Sequence, residues 1–218
     1  MKSGRTIKCM MVGDTGVGKT CAVEMFTKKN AVENCTPTAK LMKYQNDLSI
    51  DNEKVSLEIW DTPGEDDYIS LRKRCYPLTD VILLVFSMVD RKSLDNVRLK
   101  LFLEVKENTK KVPIVLAGMQ KDKVIDETFK TPQDGFILSM EEMISKIQAD
   151  VIKPDSYHEC STTQNEGLDE LFENVARAGL KYQLSDYRHG LLKFVSVASQ
   201  TSLERSISVD ATPGPDTQ

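Results

Sequence analysis

The sequence predicts an α/β fold, in which a mostly parallel sheet of six strands carries helices on both of its faces. Strand-like and helix-like segments alternate through residues 1–182, which is typical of an open sheet covered on both sides. The segment 81–86 is a continuous apolar run, as expected for a strand that is buried on both faces. Ligands of such sheets bind beyond the carboxyl ends of the strands, so residues that follow strands are the first candidates for a site.

The predicted elements follow this alternation. A β-rich run at 7–12 ends in a glycine-containing loop, and a helix-compatible stretch follows at 19–29. Strands at 41–50 and 54–61 are joined by the polar pair Asp51-Asn52, which suits a tight turn. The later elements are a strand at 80–89, a helix at 93–106, and strands at 112–117 and 157–160. After Gly167, the apolar residues have the spacing of an amphipathic helix; they are Leu168, Leu171, Phe172, Val175 and Ala176.

We predict one globular domain at residues 1–184, followed by a variable and largely disordered tail at 185–218. The tail ends in ATPGPDTQ, a composition typical of disorder. Residues 123–138 are polar and indicate a surface insertion. A capping box at 139–142 predicts a further helix, and its expected buried stripe is Met140, Met143, Ile144 and Ile147.

Composition excludes several classes of protein. A net charge of −4 and a pI of about 5.4 give no basic field for nucleic-acid binding. No apolar run approaches the roughly 20 residues that span a bilayer, and the first residues lack the pattern of a secretory signal. The five cysteines are odd in number and lie far apart in sequence. We therefore expect a reduced, intracellular chain rather than a disulfide framework.

The strongest motif is G-x-x-x-x-G-K-T at residues 13–20, placed after a strand and before a helix. Its glycines let backbone N–H groups surround phosphate oxygens, and the helix N-terminus adds a favourable dipole. Lys19 supplies a positive charge for the β- and γ-phosphates, and the Thr20 hydroxyl is suited to ligate Mg²⁺. The motif alone predicts binding of a nucleoside triphosphate, a property shared with kinases and ATPases.

Further residues at strand ends suit a metal shell and a base site. Asp61 can hold Mg²⁺ through water, and Thr38 can complete the shell. Gly64 can bring its N–H close to a γ-phosphate. Asp122 can accept two hydrogen bonds from guanine that adenine does not offer in that arrangement, so a site built around it discriminates strongly. Backbone N–H groups at 159–163 can meet the guanine O6.

The order GDTGVGKT, PT, WDTPG, MQKD and ECSTT resembles the five nucleotide-binding motifs of Ras-like GTPases. The stretch 68–87 resembles the pattern of the Rho family, especially at Tyr76-Pro77 and 79–81, and the extra residues at 123–158 resemble the Rho-type insertion. The resemblance covers about residues 5–182. It implies a P-loop NTPase fold of the Ras-like type, with GTP or GDP and Mg²⁺ as cofactors.

The resemblance also implies the site residues. Those that hold Mg²⁺ are Thr20, Thr38 and Asp61, and those that support hydrolysis are Lys19, Gly64 and Glu65. The nucleotide-binding set lines the phosphate loop and the base site: Gly13, Asp14, Thr15, Gly16, Val17, Gly18, Lys19, Thr20, Cys21, Thr38, Gly64, Gln120, Asp122, Ser161 and Thr162.

Family membership would imply a two-state cycle. The γ-phosphate and Mg²⁺ hold two switch loops, here about residues 31–41 and 63–76, and hydrolysis releases them. Effector proteins bind the ordered state through these loops, and exchange factors and GTPase-activating proteins are further expected partners. By analogy with the Rho family, the output is signal transduction to the actin cytoskeleton or vesicle traffic.

Two departures from the family pattern predict weak hydrolysis. Glu65 stands where a glutamine usually orients the attacking water; it brings negative charge near the phosphate and cannot donate as an amide does. Thr15 stands where most relatives have a glycine, and its branched side chain would crowd that water or an incoming arginine finger. We therefore expect little or no stimulation by a Rho-type activating protein, an effect worth about 10³ to 10⁵ in rate elsewhere.

Three other departures predict fast release of nucleotide. Ala31 replaces an aromatic residue that stacks against guanine, and Cys35 replaces a tyrosine that covers the phosphates. Met119 replaces an asparagine or threonine that ties the guanine loop to the phosphate loop. Each change removes contacts with the nucleotide or its supports, unless other residues such as Phe26 compensate.

The tail lacks the anchoring features of Rho proteins. No cysteine follows Cys160, so we expect no prenylation box. Basic and acidic residues of 185–218 nearly balance, with Arg188, Lys193 and Arg205 against Asp186, Glu204, Asp210 and Asp216. We expect no direct lipid anchor and a cytosolic location, with any recruitment to membranes carried out by partners.

Three hypotheses for the function stay open. The first is a GTPase that cycles between GTP- and GDP-bound states, hydrolyses GTP slowly and signals through effectors. The second is a module that holds GTP or exchanges it freely, scarcely hydrolyses it, and signals constitutively; Glu65 and Thr15 favour it. The third, a P-loop kinase of small molecules, is disfavoured by Asp122 and by the absence of an arginine-rich lid.

Overall fold

The structure is a computed structural model that describes residues 5–29, 40–125 and 152–185. Its strands are β1 (Arg5–Gly13), β2 (Met42–Ile50), β3 (Glu53–Asp61), β4 (Val81–Ser87), β5 (Ile114–Met119) and β6 (Ser156–Glu159). They form one sheet in the order β2-β3-β1-β4-β5-β6. β2 pairs antiparallel with β3, and the other neighbours pair in parallel. The predicted six-stranded, mostly parallel sheet is confirmed.

The described helices are α1 (Lys19–Lys28), α2 (Ile69–Lys73), α3 (Arg91–Asn96), α4 (Phe102–Asn108), α5 (Lys121–Ile125) and α6 (Leu168–Leu184). A 3₁₀ turn, Asp66–Tyr68, precedes α2, and a π-helical segment, Val97–Leu101, joins α3 to α4. α6 is the amphipathic helix that the spacing after Gly167 predicts, and its five predicted apolar residues are all buried.

Side-chain alternation along β1 explains why helices cover both faces of the sheet. Cys9 and Met11 enter one core with residues of α1 and α6. Met10 and Val12 enter a second core with residues of α3, the π-helical segment and α4. β4 lies at the centre and is buried along its whole length, as its continuous apolar run predicts.

The turn between β2 and β3 has the predicted chemistry. Asp51 and Asn52 have φ values of 50° and 67°, in the left-handed region that two-residue hairpin turns require and that these residue types tolerate. The turn fixes the register so that Ile50 faces Glu53.

Two predicted elements differ in their bounds for identifiable reasons. The helix predicted at 93–106 begins at Arg91, because the Asp90 carboxylate accepts a hydrogen bond from the Lys92 backbone nitrogen at 3.0 Å and caps it. The strand predicted from Val112 begins at Ile114, because Pro113 has no N–H to donate to the ladder. The Pro113 carbonyl still accepts from the Ile82 nitrogen at 2.9 Å.

The chain forms two compact units, Met1–Leu180 and Lys181–Gln218. The first contains the sheet, and the described part of the second, residues 181–185, includes the last turn of α6. The domain boundary at residue 184 and the disordered tail stay predictions. The helix predicted from Ser139 and most of the predicted insertion lie outside the described residues. No helix within the described ranges is long and apolar enough to cross a membrane.

Candidate functional site

The phosphate loop, formed by the motif at residues 13–20, joins β1 to α1 in the strand–loop–helix context that the sequence predicts. Gly13 ends β1, and Gly18 precedes the first residue of α1. Gly16 and Gly18 have φ values of 81° and 105°, a backbone conformation that glycine adopts with little cost. The loop therefore turns tightly enough to present its backbone at the carboxyl end of the sheet and the N-terminus of α1.

Lys19 is held inside this loop. Its Nζ donates to the carbonyl oxygens of Gly13 and Asp14, each at 2.8 Å, and only 6% of the residue is exposed. Burial lowers the pKa of Lys19 to about 8, although the carboxylates of Asp61 and Asp14 oppose this shift. A buried ammonium group that still lacks a full counter-charge favours an anionic ligand.

Thr20 and Asp61 meet at the end of β3. The Thr20 hydroxyl donates to Oδ2 of Asp61 at 2.6 Å, and Asp61 is fully buried. The two residues are brought together because β1 and β3 are parallel neighbours, so that Met11 pairs with Asp61. A hydroxyl and a carboxylate are the hard oxygen donors that Mg²⁺ prefers, so this pair fits a magnesium site.

Gly64 lies against the phosphate loop. A Cβ placed on Gly64 would stand 2.3 Å from the backbone nitrogen of Thr15 and 2.6 Å from the Gly13 carbonyl oxygen. The approach is fixed from the β3 side by Thr62, whose hydroxyl donates to the Met11 carbonyl at 2.6 Å. Only a glycine fits at position 64 without displacing the loop.

A second cluster forms where β5 and β6 end. Oδ1 of Asp122 accepts from the Ser161 hydroxyl at 2.7 Å, and the Ser161 oxygen accepts from the Gln164 backbone nitrogen at 3.1 Å. The Lys121 backbone nitrogen donates to the Cys160 carbonyl oxygen at 3.1 Å. The two segments predicted to form the base site are thus joined, with the Asp122 carboxylate oriented by Ser161.

The phosphate loop and the predicted base site meet at Met119. This side chain is 1% exposed, and a Cβ on Gly18 would lie 3.6 Å from the Met119 Cβ. The polar tie expected of asparagine or threonine at this position is replaced by apolar packing. A polar bond nearby was not predicted: the Ser87 hydroxyl donates to Oε1 of Gln120 at 2.6 Å, and Gln120 has a φ of 65°.

Residues 8–181 match the model of the Ras family. The chain belongs to the Ras family. The match covers far more than half of the chain and agrees with the Ras-like P-loop fold and with the phosphate loop described above. This Ras-family protein is therefore a small GTPase, a switch that binds guanine nucleotide. The narrower assignment to the Rho type stays a prediction.

The structure brings together most, but not all, of the predicted residues of this Ras-family site. Val17 is buried in the core, so its backbone rather than its side chain is available to a ligand. Thr15 and Glu65 are both exposed. Thr162 is half-buried beside Ser161. Cys21, half-buried in α1, is disulfide-bonded, so the expectation of a reduced chain is wrong at this position. Thr38, Ala31, Cys35 and most of the loop 31–41 lie outside the described residues.

Sequence reasoning missed two groups next to the site. Nδ2 of Asn96 donates to Oδ2 of Asp14 at 2.6 Å, linking the phosphate loop to the end of α3. Arg72 donates to Glu104 and to the Pro63 carbonyl, linking α2 to α4. The only sequence signal for them is the spacing of polar residues at 96, 100 and 104 on one helical face, which does not reveal their partners.

Proposed function

We propose that this Ras-family protein is a GTP-binding switch of the Rho type that cycles between GTP- and GDP-bound states to engage effectors. The observation that carries the proposal is the meeting of three groups at one end of the sheet: the buried Lys19, the Thr20–Asp61 pair, and Gly64 against the phosphate loop. Each suits one part of a nucleoside triphosphate–Mg²⁺ complex. The Rho assignment is supported by the sequence pattern at 68–87.

Each group has a separate proposed role. The ammonium of Lys19 binds the β- and γ-phosphates, and backbone N–H groups of residues 13–18 surround their oxygens. Thr20 and Thr38 would ligate Mg²⁺, and Asp61 would hold it through water. When bound, the metal would supply positive charge that offsets the charge of the phosphates. Gly64 directs its backbone N–H toward the γ-phosphate.

The base site selects guanine. The Asp122 carboxylate accepts from the base, and its hydrogen bond from Ser161 restricts its orientation before the base arrives. Gln120 and the backbone at 161–162 complete the contacts. Adenine would leave the Asp122 charge without its paired donors, so ATP should bind much more weakly.

Hydrolysis in this switch is slow and weakly stimulated. Gly64 contacts the backbone of Thr15, and Glu65 follows Gly64 directly, so the Thr15 and Glu65 side chains start from adjacent backbone positions beside the γ-phosphate site. The branched side chain of Thr15 occupies space that the attacking water needs. The carboxylate of Glu65 lacks the N–H donor by which an amide would orient that water. Glu65 can still accept a hydrogen bond from the attacking water, which allows slow turnover.

A second candidate is a module that signals constitutively in the GTP-bound state. It is favoured by the side chains of Thr15 and Glu65. It is also favoured by the apolar contact of Met119, at a position where relatives have a polar residue that hydrogen-bonds to the phosphate loop. Under either candidate the effector-binding surfaces are the loops 31–41 and 63–76, and we propose faster nucleotide release than in ordinary relatives.

One experiment separates the two candidates. Purified protein is loaded with GTP and Mg²⁺, and the retained nucleotide is identified by chromatography over time, with ATP loading as the control for base selection. Slow accumulation of bound GDP supports the cycling switch, whereas persistence of GTP supports the constitutive module. Equal retention of ATP and GTP would contradict both candidates.

A further inference from the structure

The peptide bond between Pro63 and Gly64 is held by a buried arginine. Nη1 of Arg72 donates to the Pro63 carbonyl oxygen at 3.0 Å, and Arg72 is 1% exposed. This arginine lies in α2, within the segment 63–76, yet it reaches back to the residue that precedes Gly64.

The same guanidinium is anchored to α4 by a bidentate ion pair with Glu104. Its Nε and Nη2 donate to the two carboxylate oxygens of Glu104 at 2.7 and 2.6 Å. The Tyr76 hydroxyl donates to Oε1 of Glu104 at 2.9 Å. Three nitrogens of Arg72 are therefore engaged, so its planar group has one orientation, and a lysine could not reproduce it.

The charges of this cluster are matched despite burial. Burial by itself would raise the pKa of Glu104, but the hydrogen bonds and charge of Arg72 hold that pKa below its ordinary value. An arginine is protonated at all working pH values. The ion pair therefore stays intact over the pH range of a cell, and breaking either partner would leave a buried charge.

The planar peptide between Pro63 and Gly64 makes the orientation of the Gly64 N–H depend on the contact of Arg72. The Pro63–Gly64 peptide is trans, and a trans peptide is planar with its C=O and N–H pointing in opposite directions. Because Arg72 holds the carbonyl, the Gly64 N–H is directed away from Arg72. Gly64 itself lies against Thr15 and Gly13 of the phosphate loop, so the orientation of this one peptide decides whether its N–H serves a terminal phosphate.

We propose that Arg72 is a positioning residue for recognition of the third phosphate: by holding the Pro63 carbonyl, it aims the Gly64 N–H and so favours a guanine nucleoside triphosphate over the diphosphate. The inference rests on GTP binding as described above and does not depend on slow hydrolysis. It assigns to the Arg72–Glu104 pair a role in telling the two nucleotides apart, in addition to its role in stability.

The test compares the dissociation constants of GDP and of a non-hydrolysable GTP analogue, both with Mg²⁺, for the wild type and Arg72→Lys. We expect the affinity for the analogue to fall about tenfold, the size of one lost charge-assisted hydrogen bond, and the affinity for GDP to change less than about twofold. Tyr76→Phe is the matched control, because it removes a bond to Glu104 without touching the Arg72–Pro63 contact; its affinity ratio should equal that of the wild type.

Equal losses for both nucleotides, or an unchanged ratio in Arg72→Lys, would overturn the proposal and show a structural role only. Thermal unfolding of each variant shows whether it is folded. If Arg72→Lys does not fold, Glu104→Gln takes its place, since it weakens the anchoring of Arg72 while keeping a similar shape, and the same drop in ratio is expected. The analogue is not hydrolysed, so failure here and failure of the slow-hydrolysis proposal are separate results.

Discussion

The side-chain amide of Asn96 donates to the carboxylate of Asp14 across 2.6 Å, although the two residues are 82 positions apart. Asn96 is the last residue of α3, immediately before the π-helical segment, and Asp14 is the second residue of the phosphate loop. The bond links the side chain of Asp14 to a helix packed on the sheet, while Lys19 binds the backbone carbonyls of Gly13 and Asp14.

Removal of this tie should loosen the phosphate loop. We expect Asn96→Ala to weaken GDP and GTP-analogue binding by a similar factor, about three- to tenfold, with a loss of unfolding free energy of about 1 kcal/mol. Asn108→Ala is the matched control, because Asn108 donates one comparable bond to the backbone carbonyl of Glu104, a contact that lies within α4 and does not involve the phosphate loop. Its stability should fall equally with no change in nucleotide affinity. Equal affinities in Asn96→Ala and the wild type would argue against the tie.

Gly64 should tolerate no side chain. In Gly64→Ala the new Cβ would stand 2.3 Å from the Thr15 nitrogen, so the strand-end loop or the phosphate loop must move apart. We expect the affinity for a GTP analogue to fall by about tenfold or more, equivalent to at least ~1.4 kcal/mol, and more than the affinity for GDP. Ser70→Ala, at an exposed position of α2, is the control and should bind both like the wild type. Calorimetric titration measures both values.

Binding of nucleotide should draw a proton from solution at mildly alkaline pH. The pKa of Lys19 is lowered from 10.5 to about 8, so above that pH the free folded protein holds a neutral amine, while the unfolded chain still holds the proton. The contribution of Lys19 to the free energy of unfolding therefore rises with pH between the folded pKa of about 8 and the unfolded pKa of 10.5. Phosphates restore the charge, so calorimetry near pH 8.5 in buffers of different ionisation enthalpy should show uptake of up to about one proton.

Lys19→Arg provides the control for this titration, because arginine keeps its charge at every pH tested. Its binding enthalpy should not depend on the buffer through this group. Identical buffer dependence in the wild type and Lys19→Arg would show that Lys19 is already charged in the free protein.

The Asp122 carboxylate should carry most of the choice of base. In Asp122→Ala, the preference for GTP over ATP should fall by at least about tenfold, because the paired acceptors for guanine are lost. Ser161→Ala leaves the carboxylate in place and removes only its orienting hydrogen bond at 2.7 Å, so we expect a smaller loss. Competition of GTP and ATP against a fluorescent guanine nucleotide measures both. An unchanged preference in Asp122→Ala would place the base elsewhere.

Periodicity and motifs predict the sheet, its hairpin and the phosphate loop, because these depend on local sequence. The Thr20–Asp61 contact follows once β1 and β3 are recognised as strands that end at the same edge. By contrast, the Arg72–Glu104 and Asn96–Asp14 contacts join positions far apart in sequence. The pattern of polar residues along a helix does not indicate which distant residues they will bind. The π-helical segment Val97–Leu101 also has no pattern that separates it from a regular helix.

Met119 shows how packing adds to what residue type indicates. Its type suggests the loss of a polar tie, but its environment decides the result: it packs beside Gly18, and the Ser87–Gln120 bond lies next to it.

The most direct test of the account is the single-turnover rate of hydrolysis of bound GTP, with and without a Rho-type activating protein. The wild type is compared with Thr15→Gly/Glu65→Gln, which restores the space and the amide that the two native side chains remove. We predict little or no acceleration of the wild type and a clear acceleration of the double variant. Acceleration of the wild type by about 10³ or more would contradict the claim that Thr15 and Glu65 make this a slow, weakly stimulated switch.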